Sequence, residues 1–117
     1  MDIETFRAYC LSKPGTFECF PFDETTLVFK VVRKIFALCP LDDPFKVNLK
    51  CDPDRAVELR EEHPEIQPGW HMNKSMWNTV DFEGGLSDRL LRELIDHSYE
   101  QVVRTLKKSE RAELENL

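Results

Sequence analysis

The sequence predicts an α+β fold, an antiparallel β-sheet with helices packed on one face. Three observations carry this. Strand-like segments follow one another from residue 16 to residue 51, with only short polar breaks between them. Residues 45 to 51 (FKVNLKC) alternate apolar and polar, as in a sheet with one covered and one wet face. Residues 87 to 108 keep an apolar stripe at helical spacing, long enough to lie across such a sheet.

The elements follow in order. A first helix is expected over about residues 2 to 13, with Asp2 as cap and Ile3, Phe6 and Cys10 on its buried stripe. Pro14-Gly15 ends it. Residues 16 to 22 (TFECFPF) read as a strand that Pro21 confines to an edge or an end. Asp23-Glu24-Thr25 is a turn. Residues 26 to 32 and 35 to 39 are two strands, and the Arg33-Lys34 break makes them a hairpin without the usual Asn or Gly. A turn at Asp42-Asp43-Pro44 leads into residues 45 to 51. There Phe45, Val47, Leu49 and Cys51 are expected to be buried, with Lys46, Asn48 and Lys50 in solvent. Lys30 joins the same wet face if its strand has matching parity.

Asp52 and Pro53 start a second helix that Pro64 closes, with a thin stripe of Ala56 and Leu59. Pro68-Gly69 reads as a turn. Residues 76 to 82 (MWNTVDF) form a further strand, with Trp77, Thr79 and Asp81 on one side. Ser87 caps the last helix, which Leu86 and Leu91 can staple. Residues 1 to 108 are expected to form a single domain, and residues 109 to 117 a charged, fraying tail.

Composition bounds function. The 117 residues are enough for one core, and 32% of them are charged, a globular balance. The start, Met1-Asp2-Ile3-Glu4, has no leader pattern and no segment reaches membrane-helix length, so a cytoplasmic protein is expected. The net charge of −6 argues against a surface basic all over. The charge is nonetheless segregated. Residues 30 to 50 hold five basic against two acidic side chains, and residues 52 to 65 hold two basic against six acidic. The four cysteines, at 10, 19, 39 and 51, have no metal-ligand or redox spacing. They are expected to be reduced thiols, with no metal and no cofactor. No nucleophile motif and no phosphate loop is present, so no enzyme activity is expected.

The densest functional signal lies between Gly69 and Val80. Trp70, His71, Asn73, Lys74 and Trp77 gather two indoles, an imidazole, an amide and an ammonium within eight residues. Indole faces stack on bases, and lysine and amide groups reach phosphates and base edges. The same residues can equally fill core and satisfy loop backbone.

The segment from Pro68 to Val80 (PGWHMNKSMWNTV) resembles the signature of the MmcQ/YjbR family. So do Phe20-Pro21-Phe22, residues 27 to 31, and Val47-Asn48-Leu49-Lys50-Cys51. The resemblance spans about residues 1 to 108. It implies a two-layer α+β fold akin to the frataxin-like (CyaY-like) and secretion-chaperone-like folds. It also implies a DNA-binding role for the open face of the sheet, likened to a double wing. Carried over by position, the matching residues are His71, Asn73, Lys74 and Trp77, with Lys50 on the preceding strand. Ser75 and Met76 depart from the family pattern, which has a basic residue and a histidine there.

The expected interface with DNA is therefore Lys30, Lys46, Asn48 and Lys50, with His71, Asn73, Lys74 and Trp77 at its edge, in a monomer. The alternative is a chaperone-like module that holds a protein partner on the same face or on the acidic second helix. A minor reading, iron handling, would need an acidic ridge, and the first helix supplies only Asp2 and Glu4.

Overall fold

The computed structural model of the chain describes residues 1–41, 44–70 and 72–117. The expected turn residues Asp42 and Asp43, and the candidate site residue His71, lie outside the described residues.

Four strands come first after helix α1 (Ile3–Leu11): β1 (Thr16–Cys19), β2 (Thr26–Val31), β3 (Lys34–Pro40) and β4 (Lys46–Lys50). They form an antiparallel meander. Helix α2 (Pro53–Glu62) then carries the chain to β5 (Ile66–Pro68) and β6 (Trp77–Asp81). β6 pairs with β4 and β5 lies outside it, so the order across the sheet is β1-β2-β3-β4-β6-β5. Helices α3 (Asp88–Val103) and α4 (Lys108–Glu115) finish the chain. The fold is the expected α+β arrangement.

The starts of α1, α2 and α3 have the chemistry read from the sequence. The carboxylates of Asp2 and Asp52 accept the N–H groups of Thr5 and Arg55, at 2.7 and 3.1 Å. The Ser87 hydroxyl accepts the Leu90 N–H at 3.1 Å. These bonds satisfy donors that a helix's first turn leaves without partners. α1, α2 and α3 lie on one face, where Phe6 and Cys10, Ala56 and Leu59, and Leu91 and Ile95 join one core with Phe29, Val47 and Leu49. Phe6 sits edge-on to Phe29, Phe45 and Phe82 with ring centres 5.3 to 5.6 Å apart.

Several expectations need correction. The first strand stops at Cys19, and Phe20 and Phe22 stand in solvent around Pro21. The hairpin turn is Val32-Arg33 rather than Arg33-Lys34, and Lys34 belongs to β3. Val32 has φ of 59°, an unusual angle for a β-branched residue. Its N–H donates to the Gly15 carbonyl at 3.0 Å and its side chain packs on the core, which hold it there. Pro68, expected in a turn with Gly69, instead ends β5, a three-residue edge strand where it costs no ladder bond on its outer side.

The final helix divides. α3 ends at Val103, where the Thr105 and Leu106 N–H groups donate to the Val102 and Val103 carbonyls at 2.9 and 3.2 Å, and the Thr105 carbonyl accepts the Lys34 ammonium at 2.9 Å. The charged tail, expected to fray, forms α4. Glu110 is buried, accepts the Lys107 N–H at 2.9 Å and lies 3.8 Å from the Arg33 guanidinium, which also pairs with Glu113 at 2.7 Å.

Candidate nucleic-acid interface

Strand register places the candidate residues. Directly paired residues share a face, so the partners Cys19, Val28, Leu38, Asn48, Thr79 and Gln67 run as one row across all six strands, on the side away from the helices. Lys30 shares Val28's parity on β2, and Lys46 and Lys50 share Asn48's on β4. Lys30, Lys46 and Lys50 therefore stand on the helix-free face. Lys46 and Lys50 are about 13 Å apart along their strand, and Lys30 is two strands, about 10 Å, from Lys50's row.

Their surroundings differ. Lys46 is exposed and pairs in register with Asp81 on β6, an opposite charge. Lys50 is half-buried beside Trp77, its cross-strand partner. Burial holds its ammonium below the usual lysine range, and the Lys34 charge adds to this. Lys30 stands opposite Phe17 and Ile35, so its neighbours on the face are apolar.

Asn48 corrects the sequence reading. It is 6% exposed rather than solvated. The segment after β5 crosses over it. Asn48 Nδ2 donates to the Trp70 carbonyl at 3.2 Å, the Thr79 hydroxyl donates to Asn48 Oδ1, and the Trp70 N–H donates to Thr79 Oγ1 at 3.0 Å. Gly69 lets this crossing lie close: a Cβ there would sit 2.7 Å from the Trp77 Cβ and 2.9 Å from its carbonyl oxygen.

The other loop residues are engaged locally. Asn73 Oδ1 accepts the Ser75 N–H at 3.0 Å and its hydroxyl at 2.7 Å, and the Lys74 ammonium donates to the Gly69 carbonyl at 3.3 Å. Both build the turn that leads into β6, though both stay exposed. Trp77 is half-buried on the strand, whereas Trp70 is 59% exposed.

Between the Trp70 crossing and the sheet lies a cavity of about 480 Å³, lined by Lys46, Asn48, Trp70 and Thr79 together with the carboxylates of Glu65 and Asp81. Glu65, Gln67, Thr79 and Asp81 were not candidates from sequence. The 77–81 alternation pointed to Thr79 and Asp81, but nothing local named their partner strand.

Three groups suited to covalent chemistry are tied down. The Ser98 hydroxyl donates to the Phe36 carbonyl at 2.5 Å and accepts the Lys50 N–H at 2.8 Å. Burial pushes the thiols of Cys51 and Cys39 up to about 11 and about 12. Among the described residues no three His, Cys, Asp or Glu side chains gather in a metal-binding group, and no helix is long and apolar enough to cross a membrane.

Comparison with known proteins adds the following. The YjbR family model matches residues 11–101. The uncharacterised protein YjbR of Escherichia coli K12 is 34% identical over 112 residues, 95% of each chain. The uncharacterised protein YbdF of Escherichia coli O157:H7 is 39% identical over 107 residues, 90% of this chain and 87% of that one. Among solved structures, Deinococcus radiodurans protein DR2400, a DUF419 domain, superposes with a TM-score of 0.88 at 42% identity, covering 96% of this chain and 86% of its own. A Pseudomonas syringae protein superposes at 0.76 with 27% identity, over 86% of this chain and 98% of its own.

Proposed function

This chain belongs to the YjbR family, and we propose that it is a non-catalytic DNA-binding domain that works as a cytoplasmic monomer through the helix-free face of its sheet. The observation that carries this reading is the arrival of Lys30, Lys46 and Lys50 on that one face, with Trp77 opposite Lys50. Lysines contact phosphates without reading sequence, and an indole beside them supplies a stacking surface. Three phosphate contacts give weak binding, and the net charge of −6 weakens it further at long range. Its signature is salt dependence: three contacts give a log–log slope of about −2 to −3.

The test is fluorescence anisotropy of labelled duplex and single-stranded DNA at low and physiological salt. Binding is expected at low salt, and the double variant Lys46→Glu/Lys50→Glu is expected to abolish it. Lys107→Glu/Lys108→Glu, on and beside α4, changes it little. Absence of binding tighter than ~10⁻⁴ M at low salt, weaker than ordinary non-specific affinity, sinks the reading.

A second reading, a protein-interaction module, is favoured by the apolar half of the same face. Phe17 is 44% exposed on β1, and Ile35 and Leu38 are half-buried on β3. Under this reading the lysine substitutions leave partner binding intact, and Phe17→Ser or Leu38→Ser removes it.

A further inference from the structure

We infer that the cavity between the Trp70 crossing and strands β4 and β6 seats one unpaired nucleobase of a single strand, and that it favours bases with an exocyclic amino group over thymine. The inference rests on the DNA-binding reading above and narrows its ligand.

Size and shape come first. A volume of about 480 Å³ falls within the range of small-ligand sites and suits one planar heterocycle. Trp70 forms one wall, and its backbone is pinned on both sides, at 3.2 Å through its carbonyl and 3.0 Å through its N–H. A wall held in this way keeps its backbone in place, so only the two side-chain torsions of Trp70 are left to order on binding. Pro44 and Pro64 give further apolar lining.

The polar groups then select what enters. The floor, Asn48 and Thr79, is committed to its own network and to the Trp70 backbone. Among the described residues, the groups left to meet a ligand are the Lys46 ammonium, the Gln67 amide oxygen and the carboxylates of Glu65 and Asp81. Asp81 Oδ1 accepts the Glu83 N–H at 2.9 Å, and its Oδ2 has no such bond among the described residues. Two negative charges against one positive repel a phosphate. A neutral ring that offers both donors and acceptors meets no such penalty. Carboxylates accept from amino groups such as cytosine N4, and the ammonium donates to the ring carbonyl or nitrogen beside it. Thymine carries no amino group.

The phosphates stay outside, towards Lys50 and Lys30, so a single strand with a seated base meets phosphate through two of the three lysines and Lys46 turns to the base. A base paired in a duplex reaches the cavity only by flipping out, which costs a few kcal/mol. Single strands are therefore preferred.

The test uses the full chain with labelled oligo(dC), oligo(dT) and a duplex of equal length at low salt, read by anisotropy and by indole emission. Oligo(dC) is expected to bind about fivefold or more tighter than duplex, the least that one stacked base contributes, and about fivefold or more tighter than oligo(dT), the least that a base-edge pair discriminates, and to quench the emission. Trp70→Ala is expected to bring oligo(dC) down to the duplex level. Trp70→Phe keeps the affinity but loses most of the quenching, which separates stacking from a merely structural role. Asp81→Asn, which still accepts the Glu83 N–H, narrows the ratio of oligo(dC) to oligo(dT). Equal affinity for all three polymers with Trp70→Ala silent, or a preference for duplex, overturns the base seat and leaves the DNA reading standing. No binding of any polymer overturns that reading, and the seat with it.

Discussion

Thr79 joins two segments of the candidate site through one oxygen, donating to Asn48 Oδ1 and accepting the Trp70 N–H. Thr79→Val keeps the shape and removes both bonds. It strands the carbonyl of an asparagine that is only 6% exposed, and an unsatisfied buried acceptor costs about 1–3 kcal/mol. Urea denaturation is expected to show a loss of that size, with Thr79→Ser near wild type. A Thr79→Val midpoint unchanged from wild type would mean that the crossing is held by something else. The sequence foretold half of this arrangement. Alternation over 77–81 put Thr79 and Trp77 on one side, and alternation over 45–51 put Asn48 with Lys46 and Lys50. Alternation names a face and not what covers it. Asn48 was read as solvated because its cover comes from a segment 22 residues further along the chain.

Elements were legible where their signals are local. Asp2, Asp52 and Ser87 announced three helices, and the apolar stripes named their buried sides. The β5 strand was missed because three residues ending in proline carry no period. No proline or glycine announces the break between α3 and α4, and one of the bonds made there, the Lys34 ammonium on the Thr105 carbonyl, is non-local. Another non-local bond joins α3 to the start of α2: the His97 Nε2 accepts the Asp52 N–H at 3.0 Å. This bond requires neutral imidazole. Burial holds the His97 pKa below its ordinary 6.5, and the nearby Arg55 charge adds to it, against the pull of Glu100 and Asp52. The folded state thus binds the proton more weakly than the unfolded state. The stabilisation is fully present above pH 6.5 and is lost as the pH falls from there through the lowered folded value. Wild-type stability is expected to decline over that acidic interval, and His97→Gln, whose amide oxygen also accepts the N–H, to flatten that decline. Parallel stability–pH profiles for the two proteins would remove His97 from this role.

At the scale of the whole molecule the sheet divides the chain into a dry side and a wet side, and the four cysteines sample both. Cys10 on α1, Cys39 on β3 and Cys51 after β4 are 0%, 1% and 4% exposed and belong to one core with α3. Cys19 lies at the end of an edge strand on the helix-free face, half-buried. All four are free thiols. The reactive species is the thiolate, and burial keeps the Cys51 and Cys39 thiols protonated up to about 11 and about 12. Cys10 is pushed up in the same direction by its burial. A thiol reagent at neutral pH is therefore expected to consume one equivalent quickly from the native protein and three slowly. Because the three slow thiols sit in one connected core, their exposure needs that core to open. They are expected to react at close to a common rate that rises steeply with urea, as for cooperative opening. Cys19→Ser should delete the fast phase and shift stability by less than about 0.5 kcal/mol, the usual range for a surface change. Rapid modification of Cys39 or Cys51 in the native protein would show that β3 or the end of β4 opens on its own. The strand that carries Lys46 and Lys50, or its neighbour β3, would then not be a rigid platform.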